Sequence, residues 1–218
     1  MISELTVIQK IAIWALPVIF AITVHEVAHG VAARYFGDKT ALMLGRITLN
    51  PIKHMDPIGT VLVPLLLLIM GGFVMGWAKP VPVTVENLRN PKRDMAWVAA
   101  AGPAANVLMA LFWALMMKLG LSLSGGFAWA ALPLFYMGGA GVTINIMLAV
   151  LNILPIPPLD GGRILMGVLP GPLSWQLSRV EPYGMFILMG LLIANVLDLV
   201  LSPMANALQK LLFSVAGL

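Results

Sequence analysis

Cysteine is absent from this 218-residue sequence, and charged residues make up only 10% of it. Without cysteine the chain can form neither a disulfide nor a thiolate metal site, and it has no cysteine nucleophile. A metal ion bound here would therefore need nitrogen or oxygen ligands. The scarcity of charge leaves little material for a solvated surface.

Apolar residues are abundant instead, at 60% of the chain with a mean hydropathy of +0.96. Soluble domains are roughly 45–50% apolar and about 25% charged. Five apolar runs each approach the ~20 residues that a helix needs to cross a bilayer. They are Ile11 to Val31, Ile58 to Trp77, Met95 to Met117, Ala130 to Leu154 and Tyr183 to Val200.

These runs predict an all-α polytopic membrane protein that forms a single membrane-embedded domain over residues 1–218. We place its core at residues 11–163 and a C-terminal helical region at residues 183–218. The first run has no small-residue cleavage site at its end, which favours a retained span over a signal peptide. The lipid bilayer is thus an expected partner.

The distribution of basic residues predicts orientation rather than nucleic-acid binding. The net charge is +4, but the basic residues stand singly beside apolar runs instead of forming a patch. The stretches Arg34 to Asp56 and Lys79 to Asp94 are basic and are predicted to be cytoplasmic, whereas Gly120 to Ala131 carries no charge and suits the opposite side. The N-terminus is then predicted to lie outside.

This assignment puts both ends of Ile58 to Trp77 on the cytoplasmic side. The run contains Pro64, Gly71, Gly72 and Gly76, which interrupt helices. A re-entrant hairpin packed against other parts of the protein is the favoured interpretation. The alternative is an ordinary span with one basic loop outside, so the sequence predicts four to five spans.

Two short segments are predicted to be membrane-associated β-strands: Leu42 to Leu49 and Ala78 to Val85. Pro80 and Pro82 exclude a helix in the second segment. Because an unpaired strand edge is not tolerated in lipid, the two strands should pair with each other or bind an extended peptide.

The first apolar run contains His25, Glu26 and His29 in the pattern HEVAH. Positions four apart lie on one face of a helix, so both imidazoles can reach one ion. In the H-E-x-x-H motif two histidines bind zinc and the glutamate is the general base. A histidine in an apolar helix can instead be merely hydrogen-bonded. However, each ionisable side chain at bilayer depth costs about 2.5–3.5 kcal/mol, which favours a functional role for the three together.

A catalytic zinc usually has a third protein ligand, which here must be an oxygen donor or His54. Asp160 fits best, because it follows a long apolar run in a proline-rich turn. Gly161 and Gly162 allow a close backbone approach there. The predicted topology also places this turn at the same level as the end of the first run. The alternative is an ordinary turn aspartate.

Three separated motifs carry a resemblance to a known family: HEVAHG at His25 to Gly30, AGPAAN at Ala101 to Asn106, and NILPIPPLDGGR at Asn152 to Arg163. Together they resemble the site-2 protease family of intramembrane zinc metalloproteases. The segment NPIKHMDPIGT, Asn50 to Thr60, is similar to a compact subgroup without a PDZ domain. The likeness extends from about Ile11 to Arg163, and no PDZ or CBS module is evident.

The resemblance implies one Zn²⁺ per chain, with His25, His29 and Asp160 as its ligands and Glu26 as the catalytic residue. It also implies that Asn152 helps to stabilise the oxyanion. The expected activity is zinc-dependent hydrolysis of peptide bonds in or near transmembrane segments. We expect an integral protein of the cell membrane of a prokaryote, with its active site toward the cytoplasm.

The expected substrate is a transmembrane protein or peptide, whose helix must unwind before its amide is accessible. The segment AKPVPVTV could bind the extended form along its edge. The predicted substrate-binding residues are Ala78, Lys79, Pro80, Val81, Pro82 and Val83.

Two further residues are secondary candidates for the site. Asn106 lies inside an apolar run, where an amide usually forms hydrogen bonds between helices, although a direct site role is the alternative. His54 lies in a basic loop and is interpreted as a surface or capping residue, with a gating or substrate contact as the alternative. The oligomeric state is left open by the sequence.

Two other functions compete with proteolysis. The first is a catalytically silent zinc-binding membrane scaffold, although the presence of Glu26 gives it no support. The second is a metal transporter, since buried histidines and carboxylates also line transport paths. Inverted repeats would be expected in many transporters, and none is visible in the sequence.

Overall fold

A computed structural model of the chain describes residues 5–62, 66, 78–123 and 127–218. The described part is predominantly helical, and short 3₁₀ or π turns lie at Pro51–His54, Pro57–Leu62, Val85–Asn87 and Glu181–Tyr183. The α-helices are α1 (Val7–Tyr35), α2 (Thr40–Met43), α3 (Pro91–Ser122), α4 (Ala128–Asn152), α5 (Asp160–Val168), α6 (Gly171–Ser178), α7 (Gly184–Ile193) and α8 (Val196–Ala216).

Four helices within the described ranges are long and apolar enough to cross a membrane: Ile8–Tyr35, Pro91–Ser122, Trp129–Asn152 and Val196–Ala216. Their outward faces carry large apolar side chains, which suits a helix in contact with lipid rather than water. The prediction of a polytopic helical membrane protein is therefore confirmed.

The last predicted run, Tyr183 to Val200, does not form one helix. Asn195 adopts a left-handed conformation with φ 55°, which ends one helix and precedes the next. Asparagine is among the few residues that visit this conformation readily. The run is thus divided between α7 and α8, and the candidate span lies later, at Val196–Ala216.

The centre of the bundle is the contact between α3 and α4, which glycines bring close together. A Cβ added at Gly138 would lie 2.6 Å from the Cβ of Met117, and one added at Gly141 would lie 2.1 Å from the Cγ of Trp113. Small residues permit this kind of close approach in membrane bundles. The helix α1 packs on the same pair, so residues of α1 face both α3 and α4.

The predicted β-strands are not confirmed in the described part of the chain. The segment Leu42 to Leu49 begins within the helical turn α2 and continues as a turn and bends. Residues 78–84 have neither helix nor strand pairing, although Thr84 has an extended backbone with φ −97° and ψ 103°. The predicted re-entrant run, residues 58–77, lies mostly outside the described residues.

Residues 78–84, called the strap below, lie beside α1 and are held by the loop that follows α2. The backbone N–H of Lys79 donates to the carbonyl oxygen of His54 at 2.9 Å. The Arg46 side chain donates to the carbonyl oxygens of Lys79 at 2.8 Å and Pro80 at 3.3 Å. Arg46 is largely buried, so this loop fixes the position of the first half of the strap.

The other end of the strap is held by Asp38, whose side chain is fully buried after the end of α1. Its carboxylate accepts hydrogen bonds from the backbone N–H of Thr84 at 2.8 Å, from the hydroxyl of Thr40 at 2.5 Å and from the amide of Asn87 at 3.1 Å. Asp38 therefore joins the end of α1 to the strap.

This arrangement predicts a pH-dependent loss of stability in the Asp38→Asn variant relative to wild type. Burial alone would raise the pKa of Asp38, but hydrogen bonds from Thr40, Thr84 and Asn87 outweigh burial and hold its pKa below the usual value. The stabilisation is then complete above the ordinary aspartate pKa of about 3.9 and is lost as pH falls through the lowered folded-state value.

Thermal unfolding of the two proteins in detergent at several pH values checks this expectation. The difference in unfolding midpoint should be largest near neutral pH and should shrink in acid. A difference that does not change with pH would assign the effect of the substitution to something other than the charge of Asp38.

Candidate metal centre

Two histidines and one aspartate converge between α1 and the start of α5. The Nε2 atoms of His25 and His29 lie 3.0 Å apart. The Oδ2 atom of Asp160 lies 3.2 Å from Nε2 of His25 and 3.3 Å from Nε2 of His29. Tetrahedral zinc with ligands at about 2.0–2.1 Å would separate its ligand atoms by about 3.3 Å. The three atoms therefore fit one zinc ion.

The Nδ1 atoms of both imidazoles lie next to hydrogen-bond acceptors, and these acceptors determine which ring nitrogen carries the proton. Nδ1 of His29 lies 2.8 Å from the carbonyl oxygen of Val98, which can only accept a hydrogen bond. Nδ1 of His25 lies 2.5 Å from Oδ1 of Asn106, also an acceptor. In the neutral imidazoles each Nδ1 thus carries the proton, and each Nε2 presents a lone pair inward.

None of the three converging atoms therefore carries a proton that could form a hydrogen bond to the other two. Oδ2 of Asp160 is buried and makes no hydrogen bond within the described residues. Two imidazole lone pairs and a carboxylate oxygen would repel one another at about 3 Å, and a divalent cation removes this repulsion. The donor set is the nitrogen and oxygen set that catalytic zinc accepts.

Asp160 reaches the histidines because α5 begins in a tightly folded turn. It is the first residue of α5. A Cβ at Gly161 would lie 2.2 Å from the carbonyl oxygen of Ile153, and one at Gly162 would lie 2.4 Å from the backbone nitrogen of Pro157. The two glycines therefore allow the turn to fold back onto the end of α4, and this geometry positions the carboxylate.

Glu26 lies on α1 beside the two histidines, and its carboxylate contacts the strap. Its Oε2 atom accepts a hydrogen bond of 2.7 Å from the backbone N–H of Val81. The side chain of Val81 is buried, and a Cβ added at Gly30 would lie 3.2 Å from its Cγ1. The strap therefore packs against α1 at Glu26 and Gly30, next to the two histidines, and orients one oxygen of Glu26.

The remaining predicted site residues have separate environments. The amide of Asn152 donates to the carbonyl oxygen of Leu148 in its own helix at 3.0 Å. His54 is buried, and its Nε2 atom lies 2.8 Å from the carbonyl oxygen of Thr48. The interpretation of His54 as a surface residue is therefore wrong. It does not belong to the metal-binding group that the described residues form, and its backbone carbonyl oxygen accepts the hydrogen bond from Lys79.

Gly102 on α3 is a site residue that sequence reasoning did not single out. A Cβ at this position would lie 2.5 Å from Nε2 of His29 and 2.6 Å from Cε1 of His25. Gly102 lies in the AGPAAN motif, and the presence of that motif was the sequence signal that could have identified it. The absence of a side chain at Gly102 makes room for both imidazoles.

Gly102→Ala is expected to displace the imidazoles. Zinc affinity should fall by at least the 10–100-fold that is typical when a hydrogen-bond partner of a metal ligand is mutated. The matched control is Gly139→Ala on α4, where an added Cβ meets no atom within 4 Å. Zinc content after dialysis against a chelator distinguishes the two variants. Equal zinc retention in both would mean that the histidines do not depend on the space at Gly102.

Two histidines on a membrane-length helix, facing a buried carboxylate at the start of the short helix α5, define a candidate metal centre of the zinc hydrolase type. The model of peptidase family M50, the site-2 protease family, matches residues 13–125 and 127–194. The chain belongs to this family and is a zinc metalloprotease.

Individual relatives agree with the family assignment. The "Putative zinc metalloprotease YwhC" of Bacillus subtilis (strain 168) is 36% identical over 193 residues, covering 87% of this chain and 84% of that protein. The "Putative zinc metalloprotease Rip2" of Mycolicibacterium smegmatis (strain ATCC 700084 / mc(2)155) is 31% identical over 181 residues, covering 83% of this chain and 66% of Rip2. No solved structure was found to be similar to this chain.

Proposed function

We propose that this protein hydrolyses peptide bonds in or near the transmembrane segments of other membrane proteins, using one zinc ion per chain. The observation that carries the proposal is the position of His25 and His29 within the candidate span Ile8–Tyr35, facing a buried Asp160. A protease centre inside a membrane-spanning bundle is accessible to substrates that lie in the bilayer.

Each residue has a role in the proposed reaction. His25, His29 and Asp160 hold the zinc, which when bound supplies Lewis acidity and lowers the pKa of water to about 7. Glu26 accepts the proton of the attacking water and delivers it to the leaving nitrogen. Because Val81 holds Oε2 of Glu26, Oε1 is the oxygen available for this transfer.

Asn152 is the proposed donor to the oxyanion that develops on the scissile carbonyl. Its amide donates one N–H to the carbonyl oxygen of Leu148 in its own helix, and among the described residues the second N–H remains available for the oxyanion. The residue lies at the end of α4, eight positions before Asp160, on the segment that leads into the metal site.

We further propose that residues 78–83 of the strap bind the substrate in extended form. Pro80 and Pro82 have no N–H to donate, and the N–H of Val81 is bound to Glu26. Within the described residues the N–H of Val83 makes no hydrogen bond, so it is available to an added strand. A substrate paired there would lie beside Glu26.

Cleavage assays on the purified protein in detergent test the proposed function. A panel of labelled transmembrane peptides is incubated with the protein, with a chelator, and with chelator followed by excess zinc. We expect cleavage that is lost with the chelator and restored by zinc. Chelator-insensitive cleavage, or no cleavage of any membrane peptide by zinc-loaded protein, would contradict the proposal.

Replacement of residues 78–83 by a flexible Gly/Ser stretch is expected to abolish cleavage while zinc remains bound. The strap supplies no metal ligand, but it contacts Glu26 and would hold the substrate. Zinc content and the thermal unfolding midpoint serve as controls for an intact bundle. Cleavage at the wild-type rate would remove the strap from the mechanism.

For the orientation, we propose an N-terminus outside and an active site toward the cytoplasm of a prokaryotic cell membrane. The stretches Arg34 to Asp56 and Lys79 to Asp94 carry the basic residues that favour the cytoplasmic side. Since the chain has no cysteine, single cysteines at exposed Lys53 and Ser122 can be labelled one at a time in cells. Labelling of Lys53→Cys from outside by an impermeant reagent would reverse this orientation.

A further inference from the structure

Two asparagines link the metal centre to a helix that supplies no metal ligand. Asn106 on α3 and Asn145 on α4 both have 0% exposed surface. The amide of Asn106 donates to Oδ1 of Asn145 at 2.9 Å and to the carbonyl oxygen of Ala21 at 3.2 Å. The amide of Asn145 donates to the carbonyl oxygen of Gly141 at 2.8 Å. Buried amides with full hydrogen bonding have fixed orientations.

The carbonyl oxygen of Gly141, at the end of this series, determines the direction of every hydrogen bond in it. The carbonyl oxygen of Gly141 can only accept, so the NH₂ group of Asn145 must face it and the oxygen of Asn145 must face Asn106. The NH₂ group of Asn106 must then face Asn145, which leaves its Oδ1 for Nδ1 of His25. The series thus selects the His25 tautomer with an inward lone pair on Nε2.

We propose that Asn145 is a positioning residue for the zinc site, although it touches no metal ligand. Its Oδ1 atom holds the amide of Asn106 in the orientation that presents an acceptor to His25. Without that acceptor, the NH₂ group of Asn106 keeps only its longer hydrogen bond to Ala21 among the described residues. The reversed amide presents N–H to His25 and favours the tautomer whose Nε2 carries a proton and cannot bind zinc.

The proposal rests on the zinc site of the proposed function but not on peptide hydrolysis. Zinc affinity is measured without substrate, by competition with a chromophoric chelator in detergent. A protein that binds zinc tightly but cleaves nothing would overturn the proposed function and leave the role of Asn145 testable.

Asn145→Leu removes the acceptor while keeping a similar side-chain shape, and we expect zinc affinity to fall by about 10–100-fold. Asn145→Asp in its protonated form keeps an oxygen toward Asn106 and an O–H toward the carbonyl oxygen of Gly141, and it is expected to remain within a few-fold of wild type. The visible absorption of the Co²⁺-substituted protein should change in Asn145→Leu and be preserved in Asn145→Asp. Asn145→Ala removes the same acceptor and keeps the test decisive if the leucine variant does not fold.

The matched control is Thr143→Val on the same helix. The Thr143 hydroxyl donates to the carbonyl oxygen of Gly139 at 2.9 Å, four residues earlier, just as Asn145 donates to Gly141. Thr143 is exposed and does not face His25. Wild-type zinc affinity in a folded Asn145→Leu or Asn145→Ala protein, or an equal loss in Thr143→Val, would overturn the proposal.

Discussion

Glu26→Gln should slow cleavage of a transmembrane peptide by about 10²–10⁴-fold, the usual contribution of a general base, while zinc content stays unchanged. Glutamine cannot accept the proton of the attacking water. Its amide oxygen can still accept the N–H of Val81, so the strap should keep its place beside α1. The loss would therefore be chemical rather than structural.

The rate of peptide cleavage and the zinc content of the same preparation check this expectation. Glu86→Gln, the same change at an exposed site in the turn Val85–Asn87, is the matched control and should cleave normally. Undiminished cleavage by Glu26→Gln would remove Glu26 as the base. A variant that cleaves nothing yet still performs the cellular task would favour the zinc-binding scaffold.

Asp160→Asn should lower zinc affinity by more than the 10–100-fold that follows from mutating a hydrogen-bond partner of a ligand. The reason is that it removes a ligand and its charge. The amide matches the carboxylate in shape, so the turn at the start of α5 should keep its fold. Two neutral imidazoles and an amide leave the dication without a charged ligand in a buried site. Activity should fall in proportion to zinc content.

Asp198→Asn is the control for this substitution, since Asp198 lies on a candidate span but is exposed, and among the described residues it accepts a hydrogen bond only from the Ser202 hydroxyl, at 2.6 Å. Equilibrium dialysis with zinc, followed by metal analysis, separates the two variants. If Asp160→Asn holds zinc as tightly as Asp198→Asn does, the carboxylate is not a ligand and the site must be completed by another group.

The metal-binding cluster could be predicted because its residues follow from local rules. His25 and His29 are one helical turn apart, and Asp160 stands in a turn that the predicted topology places at the level of the end of the first run. The third position was harder, since only the packing of Gly161 and Gly162 against the preceding turn brings the carboxylate inward.

The supporting residues could not be predicted, because their roles depend on contacts between distant segments. The roles of Asp38 and Arg46 as anchors of the strap depend on side chains that reach backbone atoms more than 30 positions away. Gly102 matters only because α3 places it against the imidazoles of α1. Neither spacing nor composition reveals such relations.

The predicted strands illustrate a different difficulty. Prolines correctly excluded a helix at residues 78–84, but the polar backbone groups of this segment bind side chains instead of a neighbouring strand. The alternation of residue types alone does not reveal whether a backbone N–H will donate to a carboxylate or to a second strand. The local sequence pattern therefore predicted the non-helical backbone of this segment better than it predicted the hydrogen-bond partners.

At Lys79 and Pro80 the strap is anchored by backbone atoms: the N–H group of Lys79 and the carbonyl oxygens of Lys79 and Pro80. The side chains of Lys79 and Pro80 are exposed and contribute nothing to this attachment. If residues 78–83 bind the substrate as we propose, a library of variants at position 79 should change which substrates are cut while Glu26 stays in place. Under that proposal, substrate selectivity and proton transfer can be altered separately in this segment, which makes it a practical starting point for engineering.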